Sequence, residues 1–190
     1  MNCYVLAGGR SSRMGAPKAT LAFAGSTFLG RVAEAAEAVF ERVVVVERHG
    51  AAAHAIETIF EEPHDDEAPV FGVHRALIDA GRKCFILAVD YPLITSALLG
   101  DLAERFEASM ARMLVPWSEG YPHVLCAGYS HALLPVIEAR ISRRQYDLRG
   151  LAAGAESVPC EGFELMNVNT PEELEEAERL YERQRILASR

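Results

Sequence analysis

Val5-Leu6-Ala7-Gly8-Gly9-Arg10-Ser11-Ser12-Arg13-Met14-Gly15-Ala16-Pro17-Lys18 carries a short apolar run straight into a loop of glycines and cations. The apolar residues read as a buried strand, and the loop follows with no helix between. A backbone that wraps a polyphosphate needs glycines, so that successive N–H groups can turn inward without Cβ clashes. It also needs cations to offset phosphate charge. Gly8, Gly9 and Gly15 meet the first need, and Arg10, Arg13 and Lys18 the second. A loop directly after an amino-terminal parallel strand stands at the edge where open α/β sheets bind ligands. The spacing excludes two other phosphate loops. No Gly-Lys pair is present for a Walker A loop, and Gly8-Gly9…Gly15 does not fit the dinucleotide fingerprint.

Working outward, apolar β-rich runs alternate with helical patterns. Strands are expected at Cys3–Ala7, Val43–Glu47, Thr58–Glu61, Lys83–Val89, Met113–Pro116 and Val124–Tyr129. Helices are expected at Phe28–Phe40, Val70–Ala80, Ala97–Ser109 and Leu133–Ile141, with Phe28, Leu29, Val32, Ala36 and Val39 at helical spacing in the first. Thr170-Pro171-Glu172-Glu173 opens a last helix with a hydroxyl N-cap, proline at the first helical position and glutamate at the third. The alternation predicts an α/β three-layer sandwich, a parallel sheet with helices on both faces. Ser118-Glu119-Gly120-Tyr121-Pro122-His123 is a hairpin signal that adds a late antiparallel pair to the mostly parallel sheet. With 190 residues and no linker or repeat, one domain over residues 1–190 is expected.

Composition narrows the class of function. Half of the residues are hydrophobic and 24% are charged, as in a folded globular chain. A net charge of −8 argues against a nucleic-acid or anionic-membrane surface, so an anionic ligand would need a local cationic patch such as the first loop. No apolar run has the length to span a bilayer, and residues 1–7 lack a basic secretory leader, so the cytoplasm is expected. Cys3, Cys84, Cys126 and Cys160 are far apart without zinc-site spacing and read as small apolar residues in a reducing compartment.

Asp90 is the second chemical signal. It ends the strand Lys83–Val89, at the sheet edge where the first loop also emerges, and Tyr91-Pro92 follow. A carboxylate there suits Mg²⁺, which is held by one or two carboxylates plus substrate phosphates; a turn or N-cap aspartate is the plainer alternative. Glu61 and Glu62 open the acidic loop Pro63-His64-Asp65-Asp66-Glu67. Gly72, after Pro69-Val70-Phe71, falls in the first turn of a helix, where a base or ribose could approach the backbone. Asn167 and Asn169 alternate along what reads as a short strand, so both amides would face one side and either bind a ligand or simply turn the chain before the capped helix.

Leu6-Ala7-Gly8-Gly9, Ser12-Arg13-Met14-Gly15 and Lys18, with Asp90-Tyr91-Pro92 and Asn167-Val168-Asn169-Thr170-Pro171, resemble the motifs of the molybdenum cofactor guanylyltransferases, members of a Rossmann-like nucleotidyltransferase superfamily. The resemblance spans nearly the whole chain. It implies transfer of GMP from GTP to the terminal phosphate of molybdenum-bearing molybdopterin, with pyrophosphate released. It implies nucleotide contacts at Leu6, Ala7, Gly8, Gly9, Lys18, Glu62, Gly72 and Asp90, and catalytic roles for Arg13, Lys18 and Asp90. Mg²⁺ would sit on Asp90, and Asn167 and Asn169 would touch substrate. His123 would stand near the pterin or serve structure alone. Partners would be GTP and molybdopterin, with other cofactor-biosynthesis or molybdoenzyme-maturation proteins; a monomer is expected. The chain departs from the pattern at Pro17, where an aspartate or asparagine is usual, at Glu62 in place of aspartate, and at Val44–Glu47, which lack a terminal asparagine. A CTP-dependent transferase of the same superfamily and a non-catalytic nucleotide-binding protein are the alternatives.

Overall fold

Apolar residues run unbroken through three central strands, and both of their faces are covered. The computed structural model describes residues 1–8, 17–48 and 54–188. In chain order its elements are β1 (Asn2–Leu6), β2 (Ala22–Phe23), β3 (Ser26–Thr27), α1 (Phe28–Glu37), β4 (Arg42–Glu47), β5 (Thr58–Phe60), α2 (Pro69–Ala80), β6 (Cys84–Ala88), α3 (Ser96–Ala108), β7 (Met113–Ser118), β8 (Tyr121–Pro122), β9 (Cys126–Tyr129), α4 (Leu134–Ser142), β10 (Glu156–Pro159) and α5 (Pro171–Ala188). One eight-stranded sheet runs β10-β7-β9-β6-β1-β4-β5, with β8 paired to β7.

β1 lies between β4 and β6, parallel to both, and β5 extends the parallel set. Strand residues sort by parity, as a pleat requires. Cys3, Val5, Phe85 and Leu87 pack on one face with Phe28, Leu29 and Val32 of α1, Leu99, Leu102 and Phe106 of α3, and Ala177 of α5. Tyr4, Leu6, Cys84 and Ile86 pack on the other with Val70, Val73 and Leu77 of α2 and Ile137 of α4. This is the three-layer arrangement that the alternation predicts. Two-sided burial is also why these strands show no hydrophobic alternation.

β9 is antiparallel to both β6 and β7 and lies between them. The expected hairpin forms at Glu119-Gly120, both at positive φ (52° and 80°), and joins β7 to β8. β10, which the sequence reading lacks, adds a parallel edge beside β7. A second small hairpin, β2–β3, turns through Ala24 and Gly25 at φ 49° and 79°. It leads into α1, where Thr27 Oγ1 accepts from Gly30 N at 3.0 Å. One expectation is corrected: residues 167–169 form no strand. They are held instead by the Val168 N–H, which donates to Asp90 O at 2.9 Å, and by the start of α5. Among the described residues no helix is long and apolar enough to cross a membrane.

Candidate active site

Lys18 occupies the first position of a short 3-10 turn, Lys18–Thr20, fixed by Thr20 N–H and Oγ1–H donating to Pro17 O at 3.1 and 3.0 Å. Its ammonium reaches across the carboxyl edge of the sheet to Asp90 Oδ2 at 3.2 Å and Asn169 Oδ1 at 2.6 Å. The Lys18 and Asp90 side chains are 14% and 16% exposed, so the pair sits in reduced dielectric where the charges act strongly on each other. Three segments far apart in sequence meet at one nitrogen.

Each partner is itself fixed. Asp90 follows β6, whose end is tied to β1 by Val89 N–H donating to Leu6 O at 3.1 Å. Asn169 Nδ2 donates to Asn167 Oδ1 at 2.7 Å, so both amides do lie on one side, although no strand puts them there. Glu173 closes the expected capping box: Thr170 N–H donates to its Oε2 at 3.0 Å and Glu173 N–H donates to Thr170 Oγ1 at 3.2 Å. The same carboxylate also accepts from Asn169 N–H at 2.6 Å. The cap of α5 therefore aims Asn169 at Lys18, a role that the sequence signal for a helix start does not reveal.

Asp90 Oδ1 is buried and has no hydrogen-bond partner. An orphaned carboxylate oxygen in a polar, half-enclosed edge suits a divalent cation. No cluster of three or more His, Cys, Asp or Glu side chains with that capacity exists among the described residues. A cation there would take Asp90 Oδ1 as its protein ligand, with the remaining positions left to water and phosphate, a donor set that suits Mg²⁺.

Beside this centre, β1 ends in Leu6, whose side chain belongs to the core against α2, so that only its backbone faces the edge. Ala7 N–H donates to Val46 O at 3.0 Å. A Cβ on Gly8 would stand 3.2 Å from Arg48 N, which explains the glycine where the loop leaves the sheet alongside β4. Gly9 and Arg13 lie outside the described residues. Gly72 is buried in the first turn of α2, and a Cβ there would stand 3.0 Å from Glu61 Oε1 and 3.1 Å from Leu6 Cδ2. Glu61 is the turned-in carboxylate, 8% exposed, whereas Glu62 is exposed. The signal for this was positional: Glu61 continues the strand pairing, its N–H donating to Glu47 O at 2.9 Å. Arg48 stands one residue beyond β4 and donates to the carbonyls of His64, Asp65 and Asp66 at 3.1–3.4 Å, tying the acidic loop down.

A second polar chain reaches the site from the hairpin. His123 Nε2 lies 2.6 Å from Ser118 Oγ, and His123 Nδ1 lies 3.3 Å from the Tyr91 hydroxyl. Burial holds His123 below the usual histidine range, against a weaker opposing pull from Glu119. Burial, reinforced by the Asp90 charge, raises the Tyr91 hydroxyl well above the usual tyrosine range. The Tyr91 hydroxyl is also hydrogen-bonded to the Asn167 side chain, which links this chain to the site. His123 itself is half-buried.

Comparison with known proteins bears on this geometry. Residues 3–158 match the model of the MobA-like NTP transferase domain. A Thermococcus kodakarensis protein named probable molybdenum cofactor guanylyltransferase is 33% identical over 190 aligned residues, covering 90% of each chain. The crystal structure of molybdopterin-guanine dinucleotide biosynthesis protein A from Archaeoglobus fulgidus superposes with a TM-score of 0.83 at 23% identity, over 96% of this chain and 100% of that one. A Mycobacterium tuberculosis protein crystallised with manganese shares the fold at a TM-score of 0.68 and 16% identity, over 94% of this chain and 97% of that one.

Proposed function

The chain belongs to the family of MobA-like NTP transferase domains, and on that premise we propose that it transfers GMP from GTP to the terminal phosphate of molybdenum-bearing molybdopterin. The observation that carries this reading is the convergence of Lys18, Asp90 and Asn169 at the carboxyl edge, with Asp90 Oδ1 left unpartnered. A pterin phosphate oxygen forms a bond to the α-phosphorus of GTP, the bond from that phosphorus to the β-bridging oxygen breaks, and pyrophosphate leaves. No covalent enzyme intermediate is needed, so the protein's task is positioning and charge neutralisation.

The backbone of Leu6, Ala7 and Gly8 supports the nucleotide, and Gly9 and Arg13 extend the same loop. Lys18 Nζ, already held by two partners, is placed to shift toward phosphate oxygens as charge builds on the leaving group. Asp90 would hold Mg²⁺ through Oδ1, and such an ion supplies positive charge against the phosphates. Asn167 and Asn169 offer amides to the second substrate. Glu61 rather than Glu62 is the carboxylate placed to meet the base, with Gly72 leaving it room.

Isothermal titration with GTP, CTP and ATP, each with and without Mg²⁺, tests the reading. Tightest binding of GTP, strengthened by Mg²⁺, is expected, because a wrong base leaves buried polar groups unpaired. Equal or tighter binding of CTP would replace the guanylyl assignment with a cytidylyl one, and no nucleotide binding would leave a non-catalytic role.

A further inference from the structure

His64 makes two contacts that together fix a proton. Its Nδ1 lies 2.6 Å from Asp66 O, a backbone carbonyl that can only accept, so Nδ1 carries a hydrogen. Its Nε2 lies 2.8 Å from Glu61 Oε2. One proton must stand between that nitrogen and that oxygen, either as imidazolium with carboxylate or as imidazole with carboxylic acid. In both arrangements Glu61 Oε1 bears no hydrogen. It is an acceptor, without a hydrogen-bond partner among the described residues, facing the space that a Gly72 Cβ would fill and the end of β1.

The surroundings hold the ring in place. His64 is 14% exposed and stacks on Phe71 of α2, with ring centroids 3.7 Å apart and planes at 19°. Phe71 packs on Tyr146, whose hydroxyl donates to Asp66 Oδ2 at 2.5 Å. Nearby, Arg48 binds the loop carbonyls and Glu67, and Arg75 donates to Phe60 O at 3.0 Å. Neither guanidinium is bonded to the Glu61 carboxylate, so His64 alone among these groups sets its orientation.

We infer that His64 is a positioning residue for base selection: through one shared proton it latches Glu61 so that Oε1 meets the paired N–H donors on the Watson–Crick edge of a guanine-type base. This rests on the reading of the site as a guanine-nucleotide pocket. Guanine presents N1–H and an exocyclic amino group side by side, which suit a hydrogen-free oxygen. Adenine and cytosine place a ring acceptor there and are repelled. A side chain at position 64 that cannot donate leaves the Glu61 carboxylate unheld, and discrimination between bases weakens.

Dissociation constants for GTP and ITP, which lacks the exocyclic amino group, would be measured by titration calorimetry on the wild-type protein, His64→Leu and His64→Gln. Leucine keeps apolar contact with Phe71, and glutamine keeps a donor toward Glu61. In the wild type GTP is expected to bind about ten- to a hundredfold tighter than ITP, the span of a hydrogen bond to a charged acceptor. His64→Leu brings that ratio close to one, and His64→Gln recovers most of it. A wild-type ratio retained in His64→Leu, or a ratio that His64→Gln fails to restore, overturns the inference. Should His64→Leu fail to fold, a ratio near one in His64→Gln overturns it alone. A wild-type protein with no preference for GTP over CTP and ATP defeats the reading of the pocket and this inference together, whereas a preference for GTP that survives His64→Leu defeats the inference only.

Discussion

Lys18 is a structural tie, and in the proposed reaction it would also meet the phosphates. Its ammonium sits between Asp90 and Asn169 and so offsets the carboxylate charge. In that reaction the same nitrogen would exchange those contacts for phosphate oxygens, and its interaction would strengthen as negative charge gathers on the departing pyrophosphate. An interaction of that kind shows in turnover, whereas one equally strong in the ground state shows only in binding. Lys18→Ala is therefore expected to lower the single-turnover rate at saturating GTP by about a hundredfold or more, as for loss of an electrostatic group in the transition state, with a smaller rise in the dissociation constant. An unchanged rate with weakened binding would make Lys18 a ground-state contact only. The positions of Gly8 and Asp90 were legible in the sequence because a strand-to-loop boundary marks each of them, and Lys18 was singled out as a cation closing the glycine-rich stretch. Glu61 was less so. Its neighbour Glu62 is the closest match to the family position, and only the continued pairing with β4 turns Glu61 inward. His64 carried no signal at all, since a histidine in an acidic loop reads as solvated until Phe71 is seen beneath it.

At the scale of the element, the strands that position the site were readable because they are apolar throughout, and their ends fall within a residue or two of the expected bounds. β1 runs Asn2–Leu6 against an expected Cys3–Ala7, and α2 runs Pro69–Ala80 against Val70–Ala80. What escaped were elements whose pairing comes from tertiary contact. β2 and β3 are two residues each, and β10, exposed at most of its positions, lacks an apolar run. The 167–169 stretch misled for a related reason: alternating asparagines suggest a strand, but the backbone there is held by Asp90 O and Glu173. β9 had a further requirement hidden in Gly128. A Cβ at that position would stand 2.3 Å from Phe106 Cδ1, and Phe106 of α3 is fully buried. β9 lies between β6 and β7, so neither strand nor helix can withdraw cheaply. Gly128→Ala is expected to destabilise by about 1–3 kcal/mol or more through overpacking, despite alanine's better fit to regular backbone. Urea denaturation would read this as a lowered midpoint with an unchanged slope. A midpoint equal to wild type would mean that α3 has room to move.

Across the whole molecule, chemistry and support lie at opposite edges of one sheet. The carboxyl edge holds Lys18, Asp90, Asn169 and Glu61, while the amino edge is closed by a charged clamp around Arg42 at the start of β4. Arg42 donates to Glu57 at 2.5 and 2.9 Å and to Asp79 of α2 at 2.8 Å, and the Tyr4 hydroxyl donates to Asp79 at 2.8 Å. Burial pushes the Asp79 carboxyl upward, but the hydrogen bonds from Arg42 and Tyr4, together with the Arg42 charge, outweigh it and hold the group below its ordinary value. A carboxylate depressed in the folded state stabilises the fold above its unfolded pKa, near 3.9, and that contribution is lost as pH falls through the lower folded value. Arg42→Met preserves the apolar stem and removes the cation, leaving Asp79 20% exposed without its ion-pair partner. The expected cost near pH 7 is about 1–3 kcal/mol, reduced from that of a fully buried pair because Arg42 is a third exposed. Below about pH 4 the wild type loses the clamp's contribution, and the variant gains from protonating a carboxylate that burial disfavours as an anion. The two stabilities, measured by urea denaturation across this range, should therefore converge on acidification. A gap that stays constant with pH would show that packing around β4, rather than the charge of Arg42, is what the substitution removes.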